Sequence, residues 1–345
     1  MIGRIVTLGE VLLRLSPPNR NRLVGSPILE AYFGGSEANV AVALSQYGVA
    51  TTFVTKVPHH ELGDAAIHML RGFGVDVSHV VRGGDRLGVY YLENGYSVRP
   101  SRVIYDRKNS SMANAHVDEF ALNEIFSVCD VFHVSGITLG LSENSFRLAK
   151  AFMQRAKDKG LKVSFDFNYR SKLWSLEDAQ KKFEQVLEYV DIAFMTPRDA
   201  NEILGIKVND PVKGNPALIG DHNPWKSYDT LYRKVLDRYT FDLIASSIRT
   251  VESASTNRYQ GLVFDGKDMY ASQTYRVDIV DRVGSGDAFA AGFLYSYLSR
   301  RDRQYAVEFA TASGALKHTM AGDALVATPQ EVESLFHTRE FHVQR

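Results

Sequence analysis

Between residues 131 and 196 the chain alternates short apolar segments with longer amphipathic ones. Consecutive parallel strands need a long crossover, and an intervening helix provides it. The middle of the chain is therefore predicted to form a doubly wound α/β layer, a mostly parallel sheet flanked by helices on both faces. The pattern predicts strands at 131–134, 162–167 and 192–196 and helices at 143–159 and 177–189.

The N-terminal part of the chain begins with a similar unit. Apolar residues at 5–8 indicate a buried strand. After Gly34 and Gly35, Ser36 begins a segment with apolar residues at helical spacing, and this segment ends at Gly48, as expected of a capped helix. The chain thus opens with a strand, a loop and a helix.

Two segments do not follow this alternation. Residues 12–32 and 87–108 are rich in polar, aromatic and β-branched residues, and the second contains two such runs on either side of Gly95. We interpret them as a small β lid on a single domain that spans residues 1–345. A polar, proline-containing stretch at 207–226 is interpreted as a surface loop, in preference to a functional lid.

Composition and charge argue against several classes of function. The 40 basic residues balance 40 acidic ones, so the chain lacks the overall attraction that nucleic-acid-binding proteins use. The single cysteine, Cys129, cannot form an intramolecular disulfide, and its flanks are interpreted as a buried strand. No run approaches the ~18 apolar residues of a membrane helix, and no secretory signal is recognised. We expect a cytoplasmic protein with no nucleic-acid or membrane partner.

The segment 281–293 carries the most chemical information. Gly284, Ser285 and Gly286 come directly before Asp287 and a helix of small residues. At a helix N-terminus, unpaired N–H donors and the helix dipole favour an anion such as a phosphoryl group in transfer. A carboxylate beside that anion is suited to accept the proton of an attacking hydroxyl, so Asp287 is predicted to be a general base. The alternative is a tight turn with Asp287 as a helix cap.

Two motifs at the two ends of the chain resemble the signatures of one enzyme family. The string 281–293 resembles the C-terminal signature of the ribokinase-like (PfkB) carbohydrate kinases, and the string 34–41 resembles their first signature. The resemblance covers essentially the full length. It implies ATP and Mg²⁺ as cofactors, a small-molecule sugar as substrate, and a β lid that closes over the sugar and often pairs subunits. We therefore expect a homo-oligomer formed through the lid, and leave a monovalent-cation requirement open.

Within that family, four further strings resemble 2-keto-3-deoxygluconate kinases, which phosphorylate the terminal hydroxyl of 2-dehydro-3-deoxy-D-gluconate. Such a substrate is a sugar acid, and Arg107 or Arg170 has the donor geometry to hold its carboxylate. The strings are Gly88-Val89-Tyr90, Tyr105-Asp106-Arg107, Ser135-Gly136-Ile137-Thr138 and Asp166-Phe167-Asn168-Tyr169-Arg170.

The resemblance also implies roles for individual residues. The catalytic group comprises Asp287 with the anion-hole residues Gly284, Ser285 and Gly286. Substrate contacts are expected from Gly34, Gly35, Asn39, Tyr90, Tyr105, Arg107, Ile137, Arg170 and Asp287. Nucleotide contacts are expected from Asn168, Ser247, Arg249, Gly284, Gly286, Ala312 and Ser313.

One motif departs from the family pattern. Many members have Asn-x-x-Glu after the strand that here ends at Met195, whereas this chain has Thr196 and Asp199. Because an aspartate side chain is shorter by a methylene, Asp199 is expected to reach Mg²⁺ through water. The alternative is that Asp199 only begins a short helix, where an acidic residue suits the helix dipole.

Several of these assignments have plain structural alternatives. Arg170 is also compatible with a surface arginine that bridges to a helix carboxylate, and Asn39 with a residue that satisfies the adjacent loop. Tyr90 and Tyr105 are equally compatible with aromatic residues that pack against each other on lid strands.

Other activities were weighed against a sugar-acid kinase. The first strand is not followed by Gly-x-Gly-x-x-Gly, which argues against a nicotinamide-dependent oxidoreductase. A non-enzymatic sugar sensor would not need Asp287. A neutral-sugar kinase, acting on fructose or ribose, would not need Arg107 and Arg170. The galactonate epimer of the substrate stays open.

Overall fold

A computed structural model describes residues 3–207 and 225–337 of the chain. The strands are β1 (Arg4–Leu8), β2 (Leu12–Ser16), β3 (Glu30–Gly34), β4 (Ala50–Val54), β5 (Lys56–Val57), β6 (Val81–Arg82), β7 (Gly88–Glu93), β8 (Arg102–Asp106), β9 (Val131–Ser135), β10 (Lys162–Asp166), β11 (Ile192–Phe194), β12 (Leu243–Ser253), β13 (Thr256–Phe264), β14 (Met269–Ala271) and β15 (Tyr275–Asp278). The helices are α1 (Ser36–Gln46), α2 (Glu61–Gly72), α3 (Leu122–Ile125), α4 (Gly136–Gly140), α5 (Glu143–Asp158), α6 (Leu176–Glu184), α7 (Pro197–Glu202), α8 (Lys226–Leu236), α9 (Ser285–Leu298), α10 (Arg303–Lys317) and α11 (Pro329–His337).

The central sheet has the strand order β14-β13-β12-β11-β10-β9-β1-β4, with β15 beside β13. Neighbours from β12 to β4 are parallel, and β13, β14 and β15 add an antiparallel edge. Strand order reverses at β1, which pairs with β4 on one side and with β9 on the other. The predicted doubly wound, mostly parallel sheet is confirmed, and its reversal point marks where such sheets bind ligands.

Helices cover both faces of this sheet. Adjacent residues of β1 point to opposite faces: Ile5 packs with Val40 of α1 and Phe293 of α9, whereas Val6 packs with Phe152 of α5. This double cover explains why all of β9 is buried, including His133, whose Nδ1 hydrogen-bonds with Ser164 Oγ at 2.9 Å. Within the described part of the chain, no helix is both long and apolar enough to cross a membrane.

The two irregular segments form a second sheet, with strand order β3-β2-β7-β8. β2 is antiparallel to β3 and parallel to β7, and β7 is antiparallel to β8. The strands on either side of Gly95 therefore pair as expected. This sheet is called the lid below, and its closure over a ligand stays a prediction.

Some element boundaries differ from the expected ones. The helix expected at 177–189 divides into α6 and a 3₁₀ turn at Leu187–Tyr189. β11 ends at Phe194 because Thr196 already caps α7. Cys129 precedes β9 and is half-buried, so the buried strand expected around it begins only at Val131. Most of the surface loop expected at 207–226 lies outside the described residues.

Candidate active site

A cleft of about 1210 Å³ lies between the lid and the carboxyl ends of the parallel strands. This is the place where open α/β sheets bind ligands. A second cavity, at the amino ends of the strands, is lined by none of the predicted site residues. The predicted residues that line the cleft are Gly35, Asn39, Tyr90, Tyr105, Arg107, Ile137, Asn168, Arg170, Asp199, Ser247, Arg249, Gly284, Ser285, Gly286 and Asp287.

Asp287 lies in the first turn of α9, where the N-terminal and C-terminal motifs meet. Its carboxylate accepts hydrogen bonds from Ser36 Oγ at 2.9 Å and from Asn39 Nδ2 at 2.7 Å. Burial raises the pKa of Asp287 to about 6, against the opposing effect of the Asn39 and Ser36 hydrogen bonds. A carboxylate with a pKa near the working pH is well matched to general-base catalysis.

The turn before α9 has the geometry of an anion hole. Gly284 caps the helix with φ 81°, a left-handed conformation that favours glycine. A Cβ there would lie 1.7 Å from the carbonyl oxygen of Asp323, so no other residue fits. A Cβ on Gly286 would meet no atom within 4 Å, so the cleft is open over the first turn of α9. Ser285 N donates to Arg282 O at 3.5 Å, whereas the N–H groups of Gly286 and Asp287 make no backbone hydrogen bond outside α9 among the described residues and suit a phosphate.

A second carboxyl group, Asp166, lies close to Asp287 at the end of β10. Desolvation, and then the charge of Asp287, raise its pKa well above the usual range. Asn168 Nδ2 donates to Asp166 Oδ2 at 3.3 Å and to Ser36 Oγ at 3.0 Å. Asn168 therefore connects Asp166 to the hydroxyl that holds Asp287. Two carboxyl groups in one cleft disfavour each other's ionisation, which a cation bound between them would relieve.

The lid is tied to the anion-hole turn through a buried arginine. Arg14 of β2 is 1% exposed; its Nη1 lies 2.7 Å from Asp323 Oδ1 and its Nη2 lies 2.5 Å from Asp281 Oδ2. The hydroxyl of Tyr90, on β7, donates to the other oxygen of Asp323. The rings of Tyr90 and Tyr105 lie 6.0 Å apart. Their packing matches the structural alternative, although both rings still line the cleft.

The two arginines predicted to bind a carboxylate differ in their partners. Arg107 Nε donates to Glu10 Oε2 at 2.8 Å, and its Nη2 contacts the same oxygen. Glu10, which is 3% exposed, therefore already neutralises Arg107. Arg170 makes no side-chain hydrogen bond or ion pair with any residue in 3–207 or 225–337. Its charge lowers the pKa of Asp287 and of Asp199, so it faces both groups.

A sequence model described as pfkB family carbohydrate kinase matches residues 3–218 and 260–330, more than half of the chain. This protein belongs to that family. The fold class and the family expected from the two motifs are therefore confirmed.

Three similar proteins extend this family assignment. The 2-dehydro-3-deoxygalactonokinase of Haloferax volcanii is 33% identical over 347 residues, with 100% of both chains covered. The 2-dehydro-3-deoxygluconokinase of Thermoproteus tenax is 31% identical, with 96% of this chain and 93% of that protein covered. The crystal structure of 2-dehydro-3-deoxygluconokinase from Thermotoga maritima has a TM-score of 0.91 at 38% identity and covers 96% of this chain and 99% of that one.

In this pfkB-family kinase, Asp199 closes a capping box at the start of α7. One carboxylate oxygen accepts from Thr196 N and from Thr196 Oγ1, each at 2.7 Å. This geometry is the helix-start alternative, and the second carboxylate oxygen of Asp199 takes no part in the cap. Among the described residues, no group of three or more His, Cys, Asp or Glu side chains is placed to hold a metal ion. A magnesium role for Asp199 stays a prediction.

Three residues expected at the site do not line the cleft of this pfkB-family kinase. Ala312 and Ser313 of α10 are fully buried; Ser313 Oγ donates to a carbonyl of its own helix and accepts from Tyr47 Oη at 2.9 Å. Ser313 packs closely against α9, since a Cβ on Gly292 of α9 would lie 2.6 Å from Ser313 Oγ. Gly34 packs against Asp323 instead. Gly34, Ala312 and Ser313 therefore lie outside the cleft lining, and the ligand contacts expected of them stay predictions.

Sequence reasoning missed several polar residues of the cleft, four of which have a part in the site. Ser36 and Asp166 lie inside recognised motifs, and Asn168, which was predicted, donates to both of them. The other two residues are Arg282 and Asp323.

Proposed function

We propose that this kinase transfers the γ-phosphoryl group of ATP to the terminal hydroxyl of 2-dehydro-3-deoxy-D-gluconate, which gives the 6-phosphate. The observation that carries the proposal is the buried Asp287 carboxylate beside the open turn formed by Gly284 and Gly286. The names of the similar proteins support a 2-dehydro-3-deoxy sugar acid as substrate.

The residues of the cleft suggest how the reaction proceeds. Asp287 accepts the proton of the terminal hydroxyl, the hydroxyl oxygen attacks the γ-phosphorus, the bond from that phosphorus to the β–γ bridging oxygen breaks, and ADP leaves. The N–H groups at the start of α9 hold the negative charge of the group in transfer. Bound Mg²⁺ supplies further charge neutralisation on the phosphates. Closure of the lid excludes water, which competes with the sugar hydroxyl.

The guanidinium of Arg170 supports an acid sugar over a neutral one. It lies four residues after the end of β10 and has no side-chain partner among the described residues, and such a cation pairs better with a carboxylate than with a neutral sugar. A second candidate is the galactonate epimer, because the Haloferax volcanii relative is a 2-dehydro-3-deoxygalactonokinase. A fructose or ribose kinase is less favoured on the same argument.

Replacement of Arg170 by alanine in a substrate panel tests the proposed function. We expect kcat/KM for both sugar acids to fall by the equivalent of about 2–5 kcal/mol, because a charged contact to the carboxylate is lost. The KM for ATP should change little, and fructose and ribose should be poor substrates of both forms. Arg147→Ala is the control, since Arg147 is 70% exposed, lies outside the cleft and pairs with Glu143 at 3.3 Å. Equal losses for ATP and sugar acid would assign Arg170 to the phosphates or to stability.

Magnesium titration of Asp199→Ala separates its two roles. If Asp199 reaches Mg²⁺ through water, the magnesium concentration for half-maximal rate should rise while the melting temperature stays unchanged. If Asp199 only caps α7, the melting temperature should fall, because a lost cap costs roughly 0.5–2 kcal/mol, and the magnesium response should not move. Thr196→Ala, which removes the hydroxyl half of the same cap, is the matched control.

Exposed apolar side chains on the lid and its connecting loops support our further proposal of a homo-oligomer. Val24, Ile28, Val98 and Ile104 are 91%, 61%, 95% and 57% exposed. Val24 and Ile104 border the cleft, whereas Ile28 and Val98 lie away from it. Light scattering should give a mass of at least two chains, and a monomer at high concentration would rule this out. A cytosolic location is also proposed, and cell fractionation tests it.

A further inference from the structure

Arg282 is held at the edge of the cleft by a rigid stretch of backbone. The residue before it, Asp281, pairs with the buried Arg14 at 2.5 Å and accepts from Val283 N at 3.1 Å. Two residues after it, Gly284 caps α9. The position of Arg282 is therefore fixed from both sides, directly beside the anion hole.

Two donors of the Arg282 guanidinium have no hydrogen-bond partner in the described part of the chain. These donors, Nε and Nη2, are shielded from solvent. None of the carboxylates in that part of the chain forms an ion pair with it, and burial lowers its pKa. Unpaired, desolvated donors of a charged group are costly to leave unsatisfied. Such an arrangement favours an anionic ligand in the cleft.

The groups around Arg282 strengthen the preference for an anion. Arg249, on β12, has a lowered pKa because of burial first and of the Arg282 charge second. The pKa of His318 is lowered to about 4, mainly by burial, with contributions from Arg249, Lys317 and Arg282. His318 Nε2 is also buried without a partner among the described residues. Arg249 and Arg282 both line the cleft, so this part of its wall carries two positive charges, which favour an anion.

The position of Arg282 points to phosphate more than to the sugar carboxylate. Arg107, near the lid, is already paired with Glu10, and Arg170 faces Asp287 and Asp199 at the strand ends. Arg282 instead adjoins the first turn of α9. The half-buried side chain of Arg282 lines the cleft, and a planar guanidinium suits contact with phosphate oxygens.

We infer that Arg282 is a further catalytic residue, which binds the terminal phosphates of ATP together with Arg249 and stabilises the negative charge that passes to the leaving ADP. The inference rests on the proposed phosphoryl transfer. As the bond between the γ-phosphorus and the bridging oxygen breaks, the electron pair stays on ADP, and a guanidinium beside that oxygen lowers the energy of the transition state.

Calorimetry and steady-state kinetics of Arg282→Gln and Arg282→Lys test the inference. Binding is measured with the magnesium complex of AMP-PNP, a non-hydrolysable ATP analogue, and with AMP, which lacks the terminal phosphates. For Arg282→Gln we expect AMP-PNP to bind at least ~10-fold more weakly, AMP to bind unchanged, kcat to fall at least ~10²-fold, and the KM of the sugar acid to stay nearly constant. Arg282→Lys keeps the charge without the planar fork and should show smaller losses.

Arg276→Gln is the matched control, because Arg276 lies on β15 just upstream and pairs with Glu252 at 3.2 Å outside the cleft. Unchanged AMP-PNP binding and kcat in Arg282→Gln overturn the inference, and so does a raised KM for the sugar acid with normal AMP-PNP binding. If the wild type binds AMP-PNP but phosphorylates no sugar, the proposed function fails by itself. If Arg282→Gln does not fold, Arg282→Lys decides by the same readouts.

Discussion

Asp287→Asn is expected to lower kcat by ~10²–10⁴-fold, the usual contribution of a general base. Asparagine has nearly the same shape as aspartate, so the side chain at 287 still packs against Ser36 and Asn39. Its amide, however, cannot accept the proton of the substrate hydroxyl. The fold and AMP-PNP binding should therefore be preserved. Turnover is measured as ADP release with ATP and the sugar acid, and the fold is checked by melting temperature.

The pH dependence gives an independent check on the same residue. Because burial raises the pKa of Asp287 to about 6, the wild type should lose activity as the pH falls below about 6, where the base becomes protonated. Above that pH the rate should be level until another group titrates. Asp268→Asn, at an exposed position, is a suitable control and should keep the wild-type profile. Near-normal turnover in Asp287→Asn would show that Asp287 is not the general base.

Arg14→Gln is expected to lower the free energy of unfolding by about 3–5 kcal/mol, the usual result of breaking a buried ion pair. The substitution leaves Asp281 and Asp323, which are 2% and 3% exposed, buried without their guanidinium partner. The lid strand β2 would lose its anchor to the anion-hole turn at the same time. Chemical denaturation measures the change directly.

A surface arginine on the same lid gives the comparison for Arg14. Arg22 is 59% exposed and lies 3.5 Å from Glu93, so Arg22→Gln should cost less than about 1 kcal/mol. A similar small loss for both variants would mean that the buried network around Asp323 contributes little to stability.

Much of the fold follows from local sequence patterns. Alternating strands and helices of suitable length indicate a parallel sheet, because parallel neighbours need a long crossover and a helix provides it. Boundaries were harder to predict where a turn interrupts the pattern, as in 3₁₀ Leu187–Tyr189 after α6. The start of the strand near Cys129 was set too early, because apolar residues that precede a strand resemble the strand itself.

The candidate site divides in the same way. Asp287 and Asn39 belong to separate motifs, and each motif could be recognised on its own. Both were therefore assigned to the site from the sequence, and in the structure Asn39 Nδ2 donates to Asp287 at 2.7 Å. The sequence did not predict that Arg107 pairs with Glu10. Nor did it predict that Nε and Nη2 of Arg282 have no partner among the described residues. A hydrogen bond between residues about 97 positions apart depends on how the lid folds back, which no local pattern encodes.

The most direct test of the account is the identity of the reaction product. Purified protein is incubated with ATP, Mg²⁺ and 2-dehydro-3-deoxy-D-gluconate, and phosphorus and proton NMR are recorded. We predict one phosphomonoester, coupled to the C6 methylene protons, formed in equal amount with ADP, and its absence with Asp287→Asn. Release of inorganic phosphate alone, or a phosphorylated neutral sugar with no reaction of the sugar acid, would contradict the account.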